Sequence, residues 1–164
     1  MEYTDFHDKL ARHLIDEAKD ELDVVLRGFL IAEFYVNDFL EAKLPNGKVI
    51  SNSSLNFRAK LEIIKSLDPQ NLLTEYIEQL REFSGVRNRF AHRLDYKLQE
   101  GDIEKLSRSI GLDKTRQSAI DKKGLLRIII MQILANIFTS FLINKTVHTE
   151  LSLADKVKRL RKKE

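Results

Sequence analysis

LLRIIIMQILANIFTSFLI, residues 125–143, is the most apolar stretch of the 164-residue chain and bears most directly on its fold. Its length approaches that of a membrane-spanning helix, which needs about 20 apolar residues. The stretch contains Arg127, however, and a charge is costly within a membrane. Gln132, Asn136 and Ser140 recur every four residues, which places them in one row along a helix. The stretch therefore predicts a helix buried in a protein core or interface, with one polar row.

Helical spacing of apolar residues is also found at the start of the chain. Apolar positions recur there at steps of three or four, which predicts one long helix or two nearly collinear ones, with either a kink or a close neighbour at Gly28. These positions are Leu10, Leu14, Ala18, Leu22, Val25, Phe29, Ala32, Val36 and Leu40. Two prolines and six glycines provide little of the punctuation that an all-β fold needs.

Turn and capping residues divide the rest of the chain. Residues 45–47 (PNG) favour a turn, and Ser53 or Ser54 can cap the helix that follows. Asp68 is the expected N-cap of the third helix, and Gly111 is expected to end a short helix that follows Asp102. The predicted helices after the first cover about residues 54–67, 69–94, 103–110 and 124–144. No strand is predicted, so we expect an all-α, largely antiparallel bundle of four to five main helices.

Length and charge set the broad class of protein. A chain of this length is most simply one domain, predicted over residues 1–148, followed by a basic C-terminal tail over residues 149–164. The net charge of +3 is too small by itself to indicate a nucleic-acid partner. The charged first residues do not resemble a secretory signal, and the absence of cysteine excludes disulfides and Cys-ligated zinc. We therefore expect a cytoplasmic protein that binds no membrane.

Residues 85–94, GVRNRFAHRL, contain the side chains best suited to chemistry. Arg87 falls on the apolar stripe of the third helix, where packing alone would favour leucine. A buried guanidinium without a partner is strongly destabilising, so Arg87 needs a carboxylate, an interface or a ligand. In one interpretation Glu33 or Asp38 pairs with it and the segment is structural. In the other, Arg87 is kept for an anionic ligand.

Asn88 and His92 lie four residues apart and therefore on one face of the helix, where the amide could orient the imidazole. Ser84 and Gly85 reduce the bulk beside them and leave room for a substrate or a second helix. An ideal helix places Arg87 and His92 about 140° apart. A long arginine or a second copy of the helix must therefore bridge that separation.

The segment RNRFAH resembles the signature of the HEPN superfamily, which is Arg, a polar residue that is commonly Asn, a few residues and then His. A long N-terminal helix, the phrase FRAKLEIIKSLDP and a long final helix resemble the same family over about residues 10–144. The phrases RAKLEIIKSL and VRNRFAH are similar to the mannitol operon repressor group within it. Members of the superfamily include metal-independent ribonucleases, many of them toxins or defence effectors, and also regulators.

The resemblance implies RNA cleavage by attack of the ribose 2′-hydroxyl, which leaves a 2′,3′-cyclic phosphate. Arg87 would bind the phosphate, His92 would transfer a proton, and Asn88 would fix the imidazole tautomer or contact phosphate. The residues expected to contact the RNA are Arg89, Arg93 and Tyr96. No metal and no cofactor are expected, because no acidic cluster accompanies the separated N-terminal histidines His7 and His13.

The resemblance and the reaction together predict a homodimer. In-line transesterification uses a base and an acid, yet each chain provides one motif histidine. A two-fold axis beside Gly85 and His92 would bring two histidines together. Two other interpretations remain open: a non-enzymatic transcriptional regulator like the mannitol operon repressor group, and a plain helical dimerisation module. The expected partners are a second copy, RNA, and either an antitoxin or a regulatory protein.

Overall fold

The computed structural model describes residues 9, 11–68, 71–112 and 120–161 of the chain, and for residues 144–161 it describes the backbone alone. The helices in these residues are α1 (11–16), α2 (Glu21–Lys43), α3 (Gly47–Ser51), α4 (Phe57–Ser66), α5 (Thr74–His92), α6 (Glu100–Ser109) and α7 (Lys122–Arg161). No strand occurs in the described ranges. The predicted all-α fold is confirmed.

Helix α5 packs antiparallel to its neighbours, but the two longest helices, α2 and α7, run parallel. Tyr35 packs on Phe138 and, one turn further along both helices, Phe39 packs on Phe141, with ring centroids 5.2 and 4.4 Å apart. Residue numbers therefore rise in the same direction on both helices. The four helices between them in sequence, α3 to α6, provide the long crossover that a parallel pair requires. The largely antiparallel arrangement holds around α5 and does not extend to this pair.

Helix α1 folds back along α2, so the prediction of a single or nearly collinear N-terminal helix is wrong. Asp20 starts a new helix, because its side chain accepts a hydrogen bond from the Asp23 N–H at 2.8 Å. Nη1 of Arg27 then donates to the Leu14 carbonyl at 3.1 Å, which joins the two antiparallel helices. The apolar spacing continues across the reversal because both helices bury a face in the same core.

Of the two possibilities predicted at Gly28, a kink or a close neighbour, the structure shows the close neighbour. Helix α2 continues through it, and a Cβ at this position would lie 2.5 Å from Cγ2 of Ile130 on α7 and 3.1 Å from Cζ of Phe83 on α5. Glycine therefore lets three helices meet near the centre of the core.

The predicted polar row of α7 connects it to α5 and α6. Nε2 of Gln132 donates to Oδ1 of Asn136 at 2.8 Å, and Nδ2 of Asn136 donates to Oε1 of the buried Gln79 at 3.3 Å. Nε2 of Gln79 donates in turn to the Ser109 carbonyl at 3.0 Å. Ser140 bonds back to the Asn136 carbonyl. This chain of hydrogen bonds holds α5 at a fixed position along its neighbours.

Three helix starts differ from the prediction. The N-cap of α4 is Asn56, whose side chain accepts from the Ala59 N–H at 2.9 Å, and the serines at 53 and 54 lie before the helix. Asp68 does not cap α5, because its carboxylate instead accepts from the Leu73 N–H at 2.5 Å. The expected proline at the first helical position lies outside the described residues. Helix α6 begins before Asp102, and its predicted end at Gly111 is confirmed by a φ of +68° there.

Helix α7 continues to Arg161, so the segment predicted as a tail extends the last helix over 149–161. Among the described residues, Lys122–Ile143 is long and apolar enough to cross a membrane by length and composition alone. A core helix of a soluble protein has the same properties. Leu126, Ile129 and Ile133 are fully buried in the helical core.

Candidate functional site

Arg87 lines a cleft of about 460 Å³ formed by residues of α2, the start of α4 and α5. Its guanidinium lies over the ring of Phe29, 5.1 Å from the centroid, and Nη1 donates to Oδ1 of Asn88 at 3.1 Å. Nε is buried and has no hydrogen-bond partner. The aromatic ring and the amide therefore fix the position of the cation without neutralising its charge.

Within the described residues Arg87 forms no ion pair, either with Glu33 or with Asp38. Glu33 lines the same cleft from α2, and its carboxylate has neither an ion pair nor a hydrogen bond with a described residue. Arg58 lines the cleft from α4, is exposed, and likewise has no described carboxylate partner. The structural interpretation of Arg87, as one member of an internal ion pair, is therefore not found in the described part of the chain.

The neighbouring half-buried arginines have carboxylate partners, unlike Arg87. Arg27 pairs with Asp23 at 2.7 Å, and Arg81 pairs with Glu62 at 2.6 Å. The described ion pairs made by arginines of α2 and α5 are Arg27–Asp23, Arg81–Glu62, Arg81–Glu78 and Arg89–Asp102. In the described part of the chain, Arg87 is the half-buried arginine of these two helices that has no carboxylate partner.

Arg89 faces the other side of α5 and belongs to a closed network with Tyr96 and Asp102. Nη2 of Arg89 donates to the Asp102 carboxylate at 2.5 Å, Nε donates to the Tyr96 hydroxyl at 3.1 Å, and that hydroxyl donates to Asp102. The Gln99 N–H also donates to Asp102, at 3.0 Å, which completes a capping box at the start of α6. The network joins the end of α5 to the start of α6.

The network lowers the pKa of Asp102 and raises the pKa of Tyr96. Burial acts to raise the pKa of Asp102, but the hydrogen bonds from Tyr96 and the Gln99 N–H, together with the charge of Arg89, outweigh it and lower the pKa. Burial and the hydrogen bond to Asp102 raise the pKa of Tyr96. Arg89 and Tyr96 were expected to contact RNA, and the structure gives the polar atoms of both an internal role.

His92 is the last residue of α5 and is exposed, and it does not line the cleft that contains Arg87. Asn88 lines the cleft, and its Oδ1 accepts from Arg87. No hydrogen bond among the described residues joins it to His92. The structure therefore brings Arg87 and Asn88 together in the cleft and leaves His92 outside it. Arg93 follows in extended backbone and is exposed.

The face of α5 at Gly85 is open. A Cβ there would meet only Nη1 of Arg89, at 3.7 Å, so the glycine is not required for packing within the chain. Ser84, which the sequence placed in the same notch, lines the cleft instead. The expected small-residue notch is thus divided between the cleft and an open helix face.

No group of three His, Asp or Glu side chains that could hold a metal ion occurs in the described part of the chain. His7 lies outside the described residues, as does the side chain of His148.

Sequence reasoning did not identify Phe29, Arg58 and Asn56 as neighbours of the motif. Phe29 has the spacing of an ordinary core residue, and Arg58 follows a helix start that was placed too early. Glu33 was identified, but as a partner for Arg87. The cleft forms where faces of α2, α4 and α5 meet. The sequence of a single chain does not reveal which helix faces meet.

Comparisons of the chain with protein-family models, with curated proteins and with solved structures found no match. The resemblance to the HEPN superfamily therefore depends on the motif and on the order of the helices.

Proposed function

We propose that the protein is a cytoplasmic, metal-independent endoribonuclease of the HEPN type, acting as a toxin or a defence effector. The observation that carries the proposal is the unpaired Arg87, held by Phe29 and Asn88 in an open cleft. An arginine that has no described carboxylate partner, where the other half-buried arginines of α2 and α5 have one, is suited to bind a phosphate.

In this reaction the ribose O2′ forms a bond to phosphorus and the bond from phosphorus to O5′ breaks. A base takes the 2′-hydroxyl proton, and an acid gives a proton to the departing O5′. Arg87 binds the nonbridging oxygens and stabilises the charge that develops on them. His92 has one of the two proton-transfer roles, because histidine gains and loses protons near neutral pH. Of the three residues expected to contact RNA, Arg93 keeps that role in the proposal.

The active form is a two-fold homodimer. His92 does not line the cleft of its own chain, and the reaction needs two proton-transfer groups. The open face at Gly85 allows a second α5 to approach closely, which would place His92 of one chain beside Arg87 of the other. Light scattering is expected to give twice the chain mass of 19.1 kDa. A monomer that cleaves RNA at full rate would contradict the arrangement.

The decisive experiment incubates purified protein with RNA in the presence of EDTA and identifies the product ends by mass spectrometry. We expect 2′,3′-cyclic phosphates, and loss of cleavage by more than about 100-fold in both Arg87→Ala and His92→Ala. His13→Ala and Arg108→Ala, which change exposed residues of the same types elsewhere, should cleave normally. Cleavage that requires added Mg²⁺, or no cleavage at all, would refute the proposal.

A different observation favours the second candidate, a regulator or interaction module that acts by protein contact. Leu22, Leu26, Leu30 and Phe34 recur at four-residue intervals on α2, and Leu30 is 65% exposed. An apolar row on a helix surface suits a protein partner such as an antitoxin or a regulatory protein. If this is the protein's role, RNA remains intact, and Leu30→Asp abolishes partner binding without unfolding the chain.

A further inference from the structure

We propose that the cleft between α2, α4 and α5 binds one nucleotide and selects guanine, with Glu33 as the residue that recognises the base. The inference names the substrate preference of the proposed ribonuclease and rests on that function for its biological setting. Binding of a free nucleotide to the cleft does not itself require cleavage, so the two proposals can be tested separately.

The cleft contains opposite charges that do not pair with each other. Arg87 and Arg58 line it together with Glu33, and within the described residues none of these three groups has an ion pair. Its volume of about 460 Å³ is in the range of small-molecule sites. A ligand that fits must offer an anionic group to the arginines and hydrogen-bond donors to the carboxylate. A nucleotide does so, because its phosphate and the edge of its base lie at opposite ends.

The carboxylate of Glu33 discriminates among the four bases because it can only accept hydrogen bonds when ionised. Guanine presents two adjacent donors on its Watson–Crick edge, N1–H and the N2 amino group, which match the two oxygens of a carboxylate. Adenine and cytosine place an acceptor nitrogen next to their amino group, and uracil places a carbonyl on each side of its single N–H. Those three bases bring a lone pair against the carboxylate, whereas guanine does not.

The remaining groups of the cleft complement the other features of guanine. Oδ1 of Asn56 accepts from the Ala59 N–H, so the NH₂ group of this amide is left for another partner. Such a donor suits the O6 acceptor of guanine. Leu55 lines the cleft and is 40% exposed, which provides apolar contact for a base.

The test titrates the His92→Ala protein, in which the proposed cleavage is blocked, with GMP, AMP, CMP and UMP by isothermal titration calorimetry. We expect GMP to bind at least about 10-fold more tightly than the other three. Glu33→Gln should reduce the affinity for GMP to that for AMP, and Arg87→Ala should weaken binding of all four nucleotides. Glu82→Gln, which makes the same change on an exposed part of α5 outside the cleft, should keep the preference. Circular dichroism and thermal melting confirm that each variant is folded.

Equal affinities, a preference for GMP that persists in Glu33→Gln, or no binding of any nucleotide at millimolar concentration would overturn the inference. Sequencing of the RNA fragments that the wild-type protein produces tests the guanine preference separately from the proposed ribonuclease activity. Cleavage without guanine at a fixed position refutes the guanine site and leaves the ribonuclease. Selective GMP binding without cleavage refutes the ribonuclease and leaves the site.

Discussion

Arg87 and Arg89 lie two residues apart on one helix, but only Arg89 has a described carboxylate partner. Arg89 is neutralised by Asp102 and bonded to Tyr96, and the same carboxylate caps the next helix. Arg87 is held by a ring and an amide, and its charge has no described counterion. The difference shows how a single helix can hold one arginine in an ion pair on one side and leave another without a described counterion on the other. Each side should respond differently to mutation.

The largest effect on the free energy of unfolding is expected at Asp102, on the closed side. Asp102→Ala removes the partner of Arg89 and of Tyr96 together with the cap of α6, and should destabilise the protein by about 2–3 kcal/mol. Urea denaturation measures the change, with the exposed Glu82→Ala as a control that should stay within about 0.5 kcal/mol. A loss at Asp102 no greater than that of the control would mean that the network contributes little.

The pH dependence of stability should show the same network. The pKa of Asp102 is lowered in the folded state, so its stabilisation is complete above the ordinary value of 3.8 and is lost as the pH falls through the folded-state pKa. The pKa of Tyr96 is raised in the folded state, so its hydroxyl ionises more readily in the unfolded chain and stability should fall as the pH rises above 10. Denaturation between pH 2 and 11 tests both statements. Asp102→Asn should flatten the acid part of the profile, and an unchanged acid part would contradict the role of its ionisation.

A smaller effect, of opposite sign, is expected at the open helix face. Gly85→Ala places a methyl group where only Arg89 is near, and should stabilise the folded chain by about 0.5–1 kcal/mol through helix propensity. Gly28→Ala is the contrasting variant, because its methyl group would collide with Ile130 and destabilise the core. If thermal melting of protein dilute enough to be monomeric shows Gly85→Ala to be as damaging as Gly28→Ala, the face at Gly85 is not open within the chain.

The smallest effect on stability is expected at Arg87, where the loss of activity should be greatest. Arg87→Ala removes a cation–π contact worth about 0.5–1 kcal/mol but also removes a buried Nε that has no partner, so the net change should be within about 0.5 kcal/mol of zero. Parallel urea denaturation and RNA cleavage measure the two quantities. Marked unfolding of Arg87→Ala would show that this side of α5 is structural as well.

Local patterns predicted well what local physics determines. The apolar spacing gave α2 and α7, the polar row of α7 was placed correctly, and Gly111 was identified as a helix end because a left-handed backbone favours glycine. The reversal at Asp20 was missed, because apolar spacing continues through it. For the site, the sequence indicated that Arg87 needs a partner or a ligand. It could not show that Glu33 lines the same cleft without pairing with it, because that depends on how α2 packs against α5.

The hydrogen bonds of Asp102 also have consequences for the order of folding. They join residues only 6 and 13 positions apart, whereas Arg127 on α7 donates to the Asp16 carbonyl across 111 positions. Closing the short loops costs little chain entropy, and closing the long one costs more. We therefore expect α5 and α6 to form a nucleus to which the two ends of the chain attach late. In stopped-flow measurements Asp102→Ala should mainly slow folding, and Arg127→Ala should mainly accelerate unfolding.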